Sequence, residues 1–429
     1  MKRIVIAVLA GLTAIAAASM PAPEISAGLV DDLPLPPTDA RSGVWFCPGA
    51  AGEVDPILVA GVLEAGIVGF SLPSGGEVLD SFQSRIEPGV GDWDVGDGLF
   101  FHPGPAIVEA SSVPSAAAVL YRGPARVAAD GCYLAAKEWF LNGSGIDESE
   151  TLTLRLFNPL LEQGRVSLEV ISEFGFEPLL DLESVTIGPR AWEDISLNLL
   201  LGEREQVAVR VAVTEGVVIP GLHSAGPNGL AVWPGESPSR AWEFPVAQVP
   251  GTAATISIWN PGPEPAEVGL EIMGEEGPVG RFNLSVGAGR EERFDVSGVT
   301  AGAVGAVVTA SQAVVAAVRT IGEAGVAASV GTPRPATRWL VPAHGVAGDL
   351  GSFLYVLNSA DDPVDVSVSS LGEQGGPVLR VPARASVRLE VPTRGADLNA
   401  AGPISVAWVV ARPGDVGIGL GVPITVEGQ

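Results

Sequence analysis

The stretch Thr255-Ile256-Ser257-Ile258-Trp259-Asn260 alternates polar and apolar residues and runs into Asn260-Pro261. A period of two sends successive side chains to opposite faces of an extended chain, so this is a half-buried β-strand. Asn tolerates left-handed backbone and Pro cannot extend a ladder, so the strand is expected to stop there. Thr151-Leu152-Thr153-Leu154-Arg155-Leu156 and Val364-Asp365-Val366-Ser367-Val368-Ser369 alternate in the same way.

The alternation recurs because the chain repeats itself. Segments opening at Trp139, Trp242 and Trp339 overlay on one another. Each reaches an Asn (Asn158, Asn260, Asn358), then a Val (Val166, Val268, Val366), then a Gly (Gly175, Gly277, Gly375) at matching distances. The Gly is expected to close a turn between strands. Each opening Trp starts a second pattern of Trp, any residue, an apolar residue and Pro: Trp242-Glu243-Phe244-Pro245 and Trp339-Leu340-Val341-Pro342, with Trp139-Phe140-Leu141-Asn142 lacking the Pro. Residues i and i+2 of a strand share a face, so Trp and the apolar residue both point inward. Trp45-Phe46-Cys47-Pro48 matches as well and marks a fourth, divergent unit, with Ala60 or Gly61 at the Asn position. Late in each unit come two apolar runs, read as a terminal hairpin: Ala306–Thr309 with Val314–Val318, and Val406–Val410 with Val416–Gly419.

About six or seven short strands per unit, separated by Gly/Pro turns, fit an immunoglobulin-like sandwich. The expected fold is therefore all-β, with about four tandem immunoglobulin-like β-sandwich domains strung like beads. Their expected bounds are 43–135 (divergent, with a disulfide), 136–237, 238–335 and 336–429. Residues 1–27 precede them as a signal peptide or membrane anchor and 28–42 as a linker. Met1-Lys2-Arg3 followed by an uncharged stretch from Ile4 to Met20 has the form of an export signal, either cleaved or retained as an anchor. The protein is thus expected to be secreted or extracytoplasmic, touching a membrane only through that segment if it is retained.

The charge balance of 24 Lys+Arg against 50 Asp+Glu gives −26, which repels phosphate backbones and argues against nucleic acid as a partner. In an oxidising compartment Cys47 and Cys132, near the two ends of the divergent unit, are expected to form one disulfide. His102, His223 and His344 fall in different units and are expected to be exposed loop residues, which leaves no imidazole site. Asp92, Asp94 and Asp97 are a weak calcium-loop candidate: the third Asp is one position late and Pro103 stands where a bidentate Glu is needed, so a solvated acidic turn is the expectation. Trp93, Trp192, Trp233 and Trp259 are expected to plug core ends or seams, with a sugar-stacking platform as the alternative. Asn142-Gly143-Ser144 and Asn283-Leu284-Ser285 have glycan-acceptor spacing. No catalytic motif, cofactor site or metal site is read from the chain.

The Trp45-Phe46-Cys47-Pro48 element and the repeated Asn–Val–Gly spacing resemble a group of exported actinobacterial proteins of unknown function. Those proteins have an early Trp-x-Cys-Pro element and tandem immunoglobulin-like β-sandwich repeats. The resemblance covers about residues 43 to 423 and implies an envelope or extracellular setting, with no catalytic residue to carry over. The expected role is a non-catalytic spacer or binding module whose partner is a cell-envelope protein or glycan. The alternatives are a glycan hydrolase using paired carboxylates that meet between units, and an accessory subunit of an envelope assembly.

Overall fold

The computed structural model describes residues 40–49, 55–94, 104–123, 126–227, 229–300, 302–322, 325–342, 351–390, 392, 395–412 and 415–424. The first unit (unit I) sets the plan. Its strands are β1 (Val44–Cys47), β2 (Asp55–Val62), β3 (Gly66–Ser74), β4 (Glu77–Ile86), β5 (Gly89–Asp94), β6 (Ala106–Ala110), β7 (Ser115–Gly123) and β8 (Arg126–Gly131). They form two antiparallel sheets, β1-β6-β3-β4 and β5-β2-β7-β8. Units II, III and IV (around 138–236, 239–332 and 336–424) repeat this two-sheet sandwich. The fold is all-β, as the alternation requires. A five-residue helix at Leu197–Leu201 and a 3₁₀ turn at Leu180–Leu182 are the helical elements among the described residues.

One expected hairpin is corrected. Val304–Ile321 is a single strand of 18 residues that pairs with the first sheet of unit III through its first half and with the second sheet through its second half. The polar residues between the two apolar runs are the crossing between sheets, where side chains reach solvent, and not a turn. In unit IV, Ala396–Arg412 crosses in the same way and then forms the expected hairpin with Asp415–Leu420.

The repeat residues have one role three times over. Asn158 Nδ2 donates to Glu162 O (2.7 Å) and Gly188 O (2.9 Å), while its Oδ1 accepts the Leu160 N–H (3.0 Å). Asn260 does the same with Glu264 O, Gly287 O and the Gly262 N–H, and Asn358 with Asp362 O, Pro382 O and the Ala360 N–H. Each fully buried carboxamide thus closes a turn and ties it to the neighbouring strand, satisfying backbone groups that lie away from water. Strand register puts Val62, and not Ala60 or Gly61, at this position in unit I: Val62 pairs with Gly89 at the end of its strand as Asn158, Asn260 and Asn358 pair with Ala191, Arg290 and Ala385. Gly175, Gly277 and Gly375 have φ of 106°, 139° and 82°, the left-handed backbone a side chain resists. The opening Trp residues are buried. The indole N–H of Trp45 donates to Ser115 Oγ, that of Trp242 to Val314 O and that of Trp339 to Ile404 O.

The units are not beads. The second sheets bury both faces, and the cores run across unit boundaries. On β2, Leu58, Ala60 and Val62 join the core of unit I, while Ile57 and Val59 pack with Trp339, Val341, Leu354 and Trp408 of unit IV. Phe140 of unit II packs against Trp259 of unit III, ring centres 5.5 Å apart. The described residues, 40 to 424, belong to one compact body.

Candidate functional site

The residue three positions after each opening Trp docks on the second sheet of the next unit. Pro48 lies against Gly221 of unit II. Asn142, at the position where Pro is missing, donates through Nδ2 to Ser257 O (3.2 Å) and Val315 O (3.5 Å) of unit III. Pro245 O accepts the Ser386 hydroxyl of unit IV (2.6 Å). Pro342 lies against Gly61 of unit I, which closes the cycle. Buried Asn142 is therefore a seam residue rather than an exposed glycan acceptor.

Charged groups reinforce the seams. Between units II and III, Arg319 pairs with Glu150, which also accepts the Ser224 hydroxyl (3.2 Å). Between III and IV, Glu243 accepts the hydroxyls of Ser359 and Ser405, and Arg384 pairs with Glu271. Between IV and I, Arg412 donates to Gly123 O (3.1 Å) and pairs with Asp415 (3.2 Å). Burial raises the Asp415 carboxyl to about 6, opposed by Arg412 and the N–H groups of Val416 and Val127.

At the centre, the last strand of each second sheet touches its two neighbours around a closed ring: β8, Gly229–Pro234, Val326–Val330 and Asp415–Leu420. Small residues at equivalent positions, Ala128, Ala231, Ala327 and Gly417, let these backbones approach. A Cβ on Gly417 would lie 2.8 Å from Ala129 N, and one on Gly325 would lie 2.6 Å from Asp415 Cα. The chain then turns back so that Tyr133, Glu236, Thr332 and Val422 pair with the residue after each opening Trp: Phe46, Phe140, Glu243 and Leu340.

The residue before each of those four is Cys132, Gly235, Gly331 or Gly421. In units II to IV the glycine faces a large apolar side chain two after the Trp, and a Cβ there would meet Leu141 Cγ at 3.0 Å, Phe244 Cζ at 2.9 Å or Val341 Cγ2 at 3.3 Å. In unit I these two positions are Cys132 and Cys47, joined as a disulfide. The cystine fills the space that its three counterparts fill with one large residue over a glycine.

These four turns line a partly open cavity of about 100 Å³ to which all four units contribute. The fourfold plan is broken by chemistry. Asp130 and Tyr133 of unit I, Glu236 of unit II and Arg334 of unit III line the cavity together with apolar Val330, Trp339, Leu420 and Val422. Asp130 is 3% exposed, its Oδ1 accepts the Tyr133 hydroxyl, and its Oδ2 has no hydrogen-bond partner. Burial holds this carboxyl well above the ordinary range, against the hydrogen bonds of Tyr133 and the Gly131 N–H. Burial also raises Glu236, partly offset by the Ser237 N–H (3.0 Å) and nearby Arg334. A second recess, between units II and III, is lined by Asp147, Glu173, Arg204, Arg293 and Arg319, and its charges are largely engaged: Arg204 with Glu177, Arg319 with Glu150 and Glu173 with backbone N–H groups.

Other expectations change. His223 is buried, not exposed, and burial with Arg155 nearby holds its imidazole well below the usual range. His102 and His344 lie outside the described residues. Asp92 and Asp94 stand on strand β5, paired with Val59 and Ile57, and not in a turn; Asp97 lies outside the described residues. No group of three or more potential metal ligands occurs among the described residues. Trp233 and Trp259 are buried and Trp93 packs on Phe70 (4.3 Å), while Trp192 lies under Arg155 (5.7 Å). Asp130, Tyr133 and Glu236 were not singled out from sequence. Trp139, Trp242 and Trp339 stand at varying distances from Gly235, Gly331 and Gly421, so fixed offsets miss this part of the repeat.

Fold and cavity together define a class: an all-β protein of four two-sheet sandwiches closed around a shared axis. By sequence the chain belongs to a family of unknown function, DUF5719, whose profile matches residues 108–392. Among solved structures, that of Thermotoga maritima 1070 is similar at 16% identity, covering 22% of this chain and 94% of that chain, with a TM-score of 0.21. No curated protein matches the chain.

Proposed function

We propose that the protein is an exported, non-catalytic binding module of the cell envelope or extracellular space, with four sandwiches closed on one another. The observation that carries this reading is the cystine at the one core position where the other three units use a large residue over a glycine. A covalent pair at that site suits a chain that matures where thiols oxidise, as the signal-like residues 1–27 also suggest. Spacing is the weaker role, because units closed around an axis add little reach. What the arrangement offers a partner is a fixed cavity with rigid rims.

One observation favours the alternative of an enzyme with paired carboxylates: Asp130 and Glu236 both line the cavity, and burial raises both. What counts against it is that the Asp130 carboxyl is held by the Tyr133 hydroxyl and shielded from solvent, so it offers no open oxygen to a substrate. Cell fractionation of the full chain tests the setting, and capture from envelope fractions beside an equally acidic control tests binding. Cytoplasmic retention with both thiols free, or no enrichment over the control, would sink the proposal. A wall-hydrolysing activity lost in Asp130→Asn and in Glu236→Gln would establish the enzyme instead.

A further inference from the structure

The recess between units II and III keeps unused polar groups of both signs. Its volume is about 610 Å³, and unit III contributes Arg293 and Arg319 to its lining. Arg319 spends Nη2 on Glu150 and the Ser224 hydroxyl, while Arg293 spends Nε on Glu291 (3.1 Å) and Nη2 on Ser144 O (2.7 Å). Nη1 of each guanidinium has no partner among the described residues. Unit II contributes Glu203 and Glu205, both exposed, whose carboxylates likewise have no partner among those residues. The other two acids of the lining are already held. Asp147 Oδ1 accepts the N–H groups of Ser149 (2.6 Å) and Glu150 (2.9 Å), and Glu173 accepts those of Glu205 and Gln206 (3.2 Å each). Phe174 borders the same space; it is 74% exposed, yet its ring is held by the Arg204 guanidinium at 5.4 Å. Spare guanidinium N–H groups suit a carboxylate, free carboxylates suit an ammonium group, and an open aromatic ring suits an apolar side chain.

We infer that this recess binds a short peptide with both ends free. Its terminal carboxylate lies on Arg293 and Arg319, its ammonium group on Glu203 and Glu205, and an apolar side chain on Phe174. The inference rests on the binding-module reading and gives that module a ligand class. The volume suffices: at about 10–15 Å³ for each water-sized position it offers about 40 positions, and a tripeptide has about 20 heavy atoms. The lining arginines do not neutralise Glu203 and Glu205, because Arg204, Arg293 and Arg319 pair with Glu177, Glu291 and Glu150. A ligand with one charge of each sign also adds no net charge to an acidic protein, as a free anion would.

The test is isothermal titration of the full-length protein with the tripeptide Ala-Leu-Ala, its N-acetyl form and its C-terminal amide. The N-acetyl form stands for the carboxyl end of a protein chain and the amide for an amino end. The free tripeptide should bind at least about tenfold tighter than either blocked form. In Glu203→Gln with Glu205→Gln the N-acetyl penalty should fall below about twofold, and Arg293→Gln should do the same to the amide penalty. Should Arg293→Gln fail to fold, the double variant decides alone, since the Glu203 and Glu205 carboxylates are exposed and hold no structural bond among the described residues. A blocked form that binds as well as the free tripeptide, no binding at all, or undiminished end penalties in the folded variants would each overturn the inference. Failure here with enrichment from envelope fractions leaves the binding-module reading standing; tripeptide binding without such enrichment removes the envelope role alone.

Discussion

If the cystine of unit I is the counterpart of a large residue over a glycine, then Cys47→Leu with Cys132→Gly should keep the core and lose only the cross-link. This pair recreates Leu141 over Gly235 at the same two positions of the same sandwich plan. The cost follows from loop closure. Residues Cys47 and Cys132 are separated by 85 in sequence, and freeing a loop of this size in the unfolded chain costs about 4.6 kcal/mol in the chain-entropy model. Units II and IV also pack on unit I, and residual structure in the unfolded chain lowers the figure, so about 3 to 4.6 kcal/mol is expected. Cys47→Ala with Cys132→Ala loses the same cross-link and also empties part of the core, so it should be worse by a further ~1–2 kcal/mol. Urea unfolding followed by tryptophan fluorescence measures both, because Trp45 is buried in the same core. If the Leu/Gly pair is no more stable than the Ala/Ala pair, the two sites are not equivalent and the reasoning fails.

Other outcomes follow from the seams and the repeat. Asn260→Ala should cost about 2–4 kcal/mol, because three carbonyls and one N–H lose a partner at once; Asn260→Asp, equal in shape but unable to donate, should be no better, and an Asp variant as stable as wild type would refute the donor role. Glu150→Ala leaves half-buried Arg319 without its carboxylate and should cost about 2–4 kcal/mol, whereas Glu150→Leu with Arg319→Met should recover most of it; an additive double variant would contradict the pairing. The raised Asp415 carboxyl binds a proton more tightly in the folded than in the unfolded chain. Its contribution is therefore largest below about pH 4 and falls as pH rises through about 6, by at most about 3 kcal/mol. Stability of wild type relative to Asp415→Asn should decline between pH 4 and 7, and a flat difference would count against that burial.

How far the sequence could be read depended on which faces were buried. In the first sheets, strands such as Ala266–Gly274 and Gly164–Ser172 keep one face toward solvent, so alternation shows plainly. The repeat Asn, Trp and Gly were legible for a related reason, since each meets a local backbone demand that few residues satisfy. The ring was not legible in this way. Runs such as Ile57–Val62, Ala116–Tyr121 and Val406–Val410 are apolar without a break because a second unit covers their outer face. A continuous run announces burial on both sides, but it does not say against what. The cavity residues were hidden for another reason: Asp130, Tyr133 and Glu236 lie beyond sheet crossings of variable length, and their chemistry differs from unit to unit. A lone Asp or Glu in an acidic chain carries no signal until the topology brings it to an axis.

Closure of units I and IV on each other is the claim on which the cavity, the shared cores and the seam chemistry depend. Small-angle X-ray scattering of the chain from residue 35 onward measures it directly. A closed body of this length should give a radius of gyration of about 21 Å, whereas four sandwiches of about 100 residues in a line would give about 40 Å. A value near the smaller figure is the prediction, and a value near the larger, with scattering typical of a rod, would contradict it.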